Sequence, residues 1–124
     1  MSSFDHTSLV QSLNQGMSRL RQSQPEAMQG FGQLAKAAMA AGAIDEKHKE
    51  MIALAIGITQ HCSGCIGFHV KAALDQGASQ DEVIETLGMA IYMGAGPSVM
   101  YASHALEAFM QFKNQDGKPS VTAA

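Results

Sequence analysis

Nothing in this chain alternates apolar and polar residues at period two over more than a few positions. That excludes a half-buried sheet, because a strand presents the same face every second residue. What recurs instead is the spacing of a helix face, as at Leu9, Leu13, Met17 and Leu20. A length of 124 residues allows one domain around a single core. The expectation is an all-α fold of about six helices.

The start and stop signals place those helices. Residues 1–22 form the first. Pro25 followed by Glu26 opens a second, with Met28, Phe31, Leu34, Ala35 and Ala38 as its face and Gly42 as its closing glycine. Asp45 caps a third, over 46–60, which begins with the charged run EKHKE and continues as MIALAIGI. A helix apolar on all sides is expected to be buried. The fourth spans 62–76, carries Ile66, Val70, Ala73 and Leu74, and closes at Gly77. Ser79 and Glu82 make a capping box for a fifth over about 80–94. Gly94-Ala95-Gly96-Pro97 breaks the pattern, and Pro97 opens a sixth through residue 113. The division expected is one helical domain over 1–113 and a flexible tail over 114–124.

Charge narrows the function. Charged residues make up 15% of the chain, the formal net charge is −3, and Lys and Arg cluster nowhere. Nucleic-acid binding wants a basic stripe and is not expected. The longest apolar run, residues 51–58, is too short to cross a membrane. The opening MSSFDHTSLV lacks the basic and apolar segments of a secretory signal. The expected compartment is the cytoplasm, where a lone cysteine pair is catalytic or metal-binding rather than structural. Nine Met and several nearly all-apolar helices leave more greasy surface than one small bundle hides, so a homo-oligomer using the last two helices is expected.

The chemistry concentrates in HCSGCIGFH, residues 61–69. Cys62 and Cys65 are the only cysteines, and His69 lies one helical turn beyond Cys65, on the same face. Glu50 is the first charge met on going back through the apolar run. A thiol near a helix N-terminus and beside an imidazole favours the thiolate, and a part-buried carboxylate would orient that imidazole. The dipole alone favours Cys62 as the nucleophile; the imidazole favours Cys65. A zinc or sensing site on Cys62, Cys65 and His69 is the alternative, with His61 or His104 as the fourth ligand. Two idle buried thiols are the third reading. His104, beside Tyr101 on an apolar helix, is by default a core or interface residue.

The run from Asp45 to Phe109 resembles the carboxymuconolactone decarboxylase superfamily in its alkylhydroperoxidase (AhpD-like) branch. Glu50, CSGCIGFH and the later GAGPSVMYASHALEAF carry the resemblance. Decarboxylase members lack the cysteine pair. The resemblance implies an all-α bundle assembled as a trimer or hexamer, and a thiol peroxidase or disulfide reductase. It implies that Cys65 attacks a hydroperoxide, that Cys62 resolves the sulfenic acid to a disulfide, and that Glu50 and His69 relay protons. No metal or organic cofactor is implied; a small hydroperoxide and a dithiol or protein reductant are. A thiol-independent decarboxylase or lactone-processing enzyme on the same scaffold is the remaining alternative. One departure stands out: where one branch carries a second histidine just before the second cysteine, this chain has Gly64, so the implied relay is shorter.

Overall fold

The computed structural model describes residues 4–117, and among them there are five α-helices and no strand. α1 is His6–Ser23, α2 Pro25–Met39, α3 Glu46–Thr59, α4 Ser63–Asp75 and α5 Gln80–Gly117. Residues 1–3 and 118–124, the latter most of the expected tail, lie outside the described part.

The local signals explain most boundaries. Asp5 caps α1 by accepting from the N–H groups of Thr7 and Ser8. The Thr7 hydroxyl, then that of Ser8, hold the Asp5 carboxyl down to about 2. Pro25 opens α2, and Asp45 caps α3 through the His48 N–H at 2.8 Å. The capping box is reciprocal: Glu82 N–H donates to Ser79 Oγ at 3.0 Å, and Ser79 N–H to Glu82 Oε1 at 2.9 Å. Glu82 also pairs with Lys47 at 2.9 Å, tying the start of α5 to that of α3.

Two expected helix bounds change. Gly42 does not close α2, which ends at Met39; Lys49 Nζ instead donates to the carbonyls of Ala38 and Ala40, a cation on the negative end of the helix dipole. The expected break between the fifth and sixth helices is present: α5 is two helical arms joined across a kink at Ala95 (φ 60, ψ −150). Pro97 needs no N–H partner in the first turn beyond the kink, so the second arm starts there without loss. Ala95 sits in a region nearly reserved for glycine, at a cost of about 1–3 kcal/mol. The bend is fixed from beneath: a Cβ at Gly94 would collide with the buried Ser98 Oγ. Finally, α5 continues to Gly117, past the expected end at 113.

α3 is the central helix and packs chiefly against α4 and α5. Leu54 and Ile58 of α3, Ile66 and Val70 of α4, and Val83 and Phe109 of α5 are fully buried or nearly so. Each such side chain contributes about 1.5–3 kcal/mol. The expectation that α3 is buried all round is corrected, since Ile52 and Ile56 are about half exposed at 47% and 50%. Among the described residues, α2 buries none of its side chains fully and touches only the helices α1 and α3.

α1 crosses α4 at very short range. A Cβ at Gly67 would lie 2.8 Å from Val10 Cγ2, and one at Gly64 would lie 2.8 Å from Leu13 Cδ1. Val10 and Leu13 therefore drop into a groove made by two glycines one turn apart. Gly67→Ala is expected to cost about 1–3 kcal/mol, because β-branched Val10 has few rotamers into which to retreat. Gly30→Ala, in the open middle of α2, should instead leave stability unchanged or raise it by up to about 1 kcal/mol. Urea midpoints for both variants check this, and equal midpoints would show that the groove is not tight.

Candidate functional site

The cysteines sit where α3 hands over to α4. α3 ends at Gln60, and His61 takes a left-handed conformation (φ 57). His61 N–H then donates to Ile58 O at 3.1 Å, and Cys62 N–H to Gly57 O at 3.0 Å. These two bonds close a Schellman turn, which normally carries glycine at the position His61 holds. The His61 ring stacks on Tyr101, with centroids 4.8 Å apart and planes 11° from parallel. The turn delivers Cys62 as the N-cap of α4.

Cys62 and Cys65 are joined as a disulfide, their Cα atoms 5.2 Å apart. The Cys65 N–H donates to Cys62 Sγ at 3.1 Å. One free first-turn amide of α4 thus points at the Cys62 sulfur, an arrangement that stabilises a thiolate once the bond is reduced. Both cysteines are half-buried. On the other side, a Cβ at Gly57 would lie 3.0 Å from Cys65 Cβ. That glycine lets α3 and α4 meet at the second cysteine.

Glu50 and His69, 19 residues apart, meet directly: Glu50 Oε1 lies 2.7 Å from His69 Nδ1. The Glu50 side chain is 15% exposed and that of His69 33%. An ionised carboxylate only accepts, so Nδ1 donates and Nε2 is left with a free lone pair. His69 follows Cys65 by one turn of α4, on the same face. The other charged groups in this turn of α3 are engaged elsewhere. Lys47 pairs with Glu82, His48 with Asp45, and Lys49 with the end of α2.

The structure joins the four predicted residues as two bonded pairs, Cys62–Cys65 at the start of α4 and Glu50–His69 between α3 and α4, with His69 one helical turn after Cys65. His61 immediately precedes Cys62, but its ring is taken up by Tyr101. His104 lies with His6, ring centroids 6.0 Å apart. The sequence reading did not single out Gly57; its one signal was a glycine inside an otherwise apolar helix. An open, mostly apolar groove of about 630 Å³ lies between α3 and α5, lined by Ile44, His48, Met51, Ile52, Ala55 and Met89 among others. None of the four site residues lines it.

Three comparisons bear on this site. The family model described as the carboxymuconolactone decarboxylase family matches residues 25–108. An uncharacterised protein of Cupriavidus necator is 39% identical over 97 residues, which is 78% of this chain and 86% of that protein. A crystal structure of a carboxymuconolactone decarboxylase family protein from Legionella pneumophila superposes with a TM-score of 0.84 at 46% identity, covering 86% of this chain and 96% of that one. A family protein from Thermotoga maritima, at 20% identity, has the same fold with a TM-score of 0.79 over 87% of this chain and 92% of its own.

The Glu50 contact should set the tautomer of His69. Nitrogen-15 NMR of the imidazole is expected to show the proton on Nδ1 in the unmodified protein. In Glu50→Leu it should move toward the Nε2–H form that free imidazole prefers. Identical ring spectra for the two proteins would mean that the carboxylate does not orient the ring.

Proposed function

The chain belongs to the carboxymuconolactone decarboxylase family, and from that premise we propose that it is a thiol-dependent hydroperoxide or disulfide reductase of the alkylhydroperoxidase-like kind. One observation carries the reading: the Glu50–His69 hydrogen bond of 2.7 Å lies one helical turn from a cysteine pair able to form a disulfide.

The chemistry balances on the chain's own groups. In the reduced protein, His69 Nε2 takes the proton of Cys65, and the imidazolium is stabilised by Glu50. The Cys65 thiolate attacks the terminal oxygen of a hydroperoxide. The O–O bond breaks, a sulfenic acid forms on Cys65, and the alkoxide leaves as an alcohol with the proton held by His69. The Cys62 thiol then attacks the Cys65 sulfur, the S–S bond forms, and hydroxide leaves as water. The peroxide has gained two electrons and the dithiol has lost them. An external dithiol, free or carried by a protein, resets the pair by thiol–disulfide exchange. No metal or organic cofactor takes part. The N-cap position of Cys62 supports its share, because a sulfur served by an α4 amide leaves readily during that reset.

We include a homo-oligomer, a trimer or hexamer, in this reading. Phe31 and Leu34 of α2 are 64% and 63% exposed, and Tyr92 and Met93 of α5 are 79% and 72% exposed. Apolar surface of this extent on a chain this small favours burial against a second copy. The contact surface then includes α2 and α3 besides the two arms of α5. Sedimentation at micromolar concentration should show an assembly larger than a monomer. A purely monomeric profile would remove this part.

Cys65→Ser is expected to abolish hydroperoxide consumption, and His69→Ala to slow it by about 10²–10⁴-fold. Initial rates with an organic hydroperoxide and a dithiol reductant measure both. Wild-type turnover in Cys65→Ser would overturn the mechanism. Activity surviving alkylation of both cysteines would point instead to decarboxylase-like chemistry on the same scaffold.

A further inference from the structure

The seam between the start of α1 and the second arm of α5 gathers three groups that the thiol chemistry does not use. His6 is the first residue of α1 and is fully buried. Its Nε2 lies 3.0 Å from Glu107 Oε1. His104, one turn before Glu107 on α5, brings a second imidazole alongside, and one ligand atom from each residue lies within 4.8 Å of the others. His104 is exposed, and the Glu107 side chain is 32% exposed.

We propose that His6, His104 and Glu107 bind a divalent transition-metal ion of the zinc class, at a site built without either cysteine. Two imidazoles and a carboxylate are a donor set such ions accept, with a fourth position left for water or an external ligand. The buried ring supplies the second observation. Its Nε2 faces the Glu107 carboxylate and is the nitrogen that would meet the ion, while its Nδ1 has no hydrogen-bond partner among the described residues, so no neighbour on the far side holds the ring's proton on Nε2. A structural histidine placed only to bond Glu107 would not need a second imidazole beside it.

The geometry requires little movement. Ligand atoms around a tetrahedral zinc ion sit about 3.4 Å apart. The His6–Glu107 pair is already at 3.0 Å. The wider gap to His104 closes by rotation of an exposed side chain, while the buried ring and its neighbours stay in place. Gln111 helps to hold the buried side, since its Oε1 accepts from the His6 backbone N–H at 2.7 Å. The sequence reading considered His104 as a fourth ligand for the thiols; here it completes a different set.

The test uses the full chain with its Cys62–Cys65 bond intact, freed of metal by chelation and titrated with Co²⁺. One equivalent is expected to bind, with visible d–d bands and no sulfur-to-metal charge transfer, and Zn²⁺ should displace it. Zn²⁺ should also raise the unfolding temperature. His104→Ala and Glu107→Gln change partly exposed residues and should fold. Each should weaken Co²⁺ binding by about tenfold or more and remove the Zn²⁺ effect on unfolding. Reducing and alkylating both cysteines should leave binding unchanged. Absence of saturable binding, binding retained in both variants, or a sulfur charge-transfer band would each overturn the proposal.

Discussion

The close seating of α4 is the constraint on which the rest depends. Three glycines make it possible: Gly57 under Cys65 from the α3 side, and Gly64 and Gly67 under Leu13 and Val10 from the α1 side. A helix approached this closely on two sides has little freedom to slide or turn. The two sulfurs and the His69 ring are therefore carried on a tightly seated helix, and packing rather than a flexible loop fixes their positions. The same seating accounts for the glycine between the cysteines, where one branch of similar proteins has a histidine. A side chain at 64 would need Leu13 to move aside.

Within that frame the two sulfurs have different surroundings. Cys62 ends one helix signal and begins another: its N–H completes the turn that closes α3, and its sulfur accepts from the Cys65 N–H in the first turn of α4. Cys65 lies inside the helix, one turn from an imidazole held by a half-sunken carboxylate. A backbone dipole and a side-chain base thus act on different sulfurs. That is the asymmetry a two-thiol reaction needs, because one sulfur must attack and the other must leave.

Much of this was legible in the residues because it is written in local chemistry. Asp45 and the Ser79–Glu82 box cap their helices with side chains that reach free amides, and Pro25 opens α2 where no N–H partner is needed. The spacing of Cys62, Cys65 and His69 needs only the pitch of one helix. Other features are not local. The Glu50–His69 bond joins two helices, and spacing says only that both residues exist. Ile52 and Ile56 read as core because periodicity marks apolar faces without saying whether the same chain covers them. The bend fell on Ala95, an alanine with a glycine on each side, beside Gly94, where Ser98 leaves no room for a Cβ. His6 went unnoticed because its partners, Glu107 and Gln111, lie more than a hundred positions away.

That separation also orders the making of the molecule. Apart from its turn into α2, helix α1 touches only α4 and α5, and its anchors are the groove at Gly64 and Gly67 and the side chains of Glu107 and Gln111. During synthesis it emerges well before any of these exist, and such distant contacts form slowly because a long stretch of chain must first be closed into a loop. The N-terminal helix thus waits, undocked, at least until α4 is made, and its His6 end until α5 is complete. The cysteine turn gains its outer wall only after the turn itself exists.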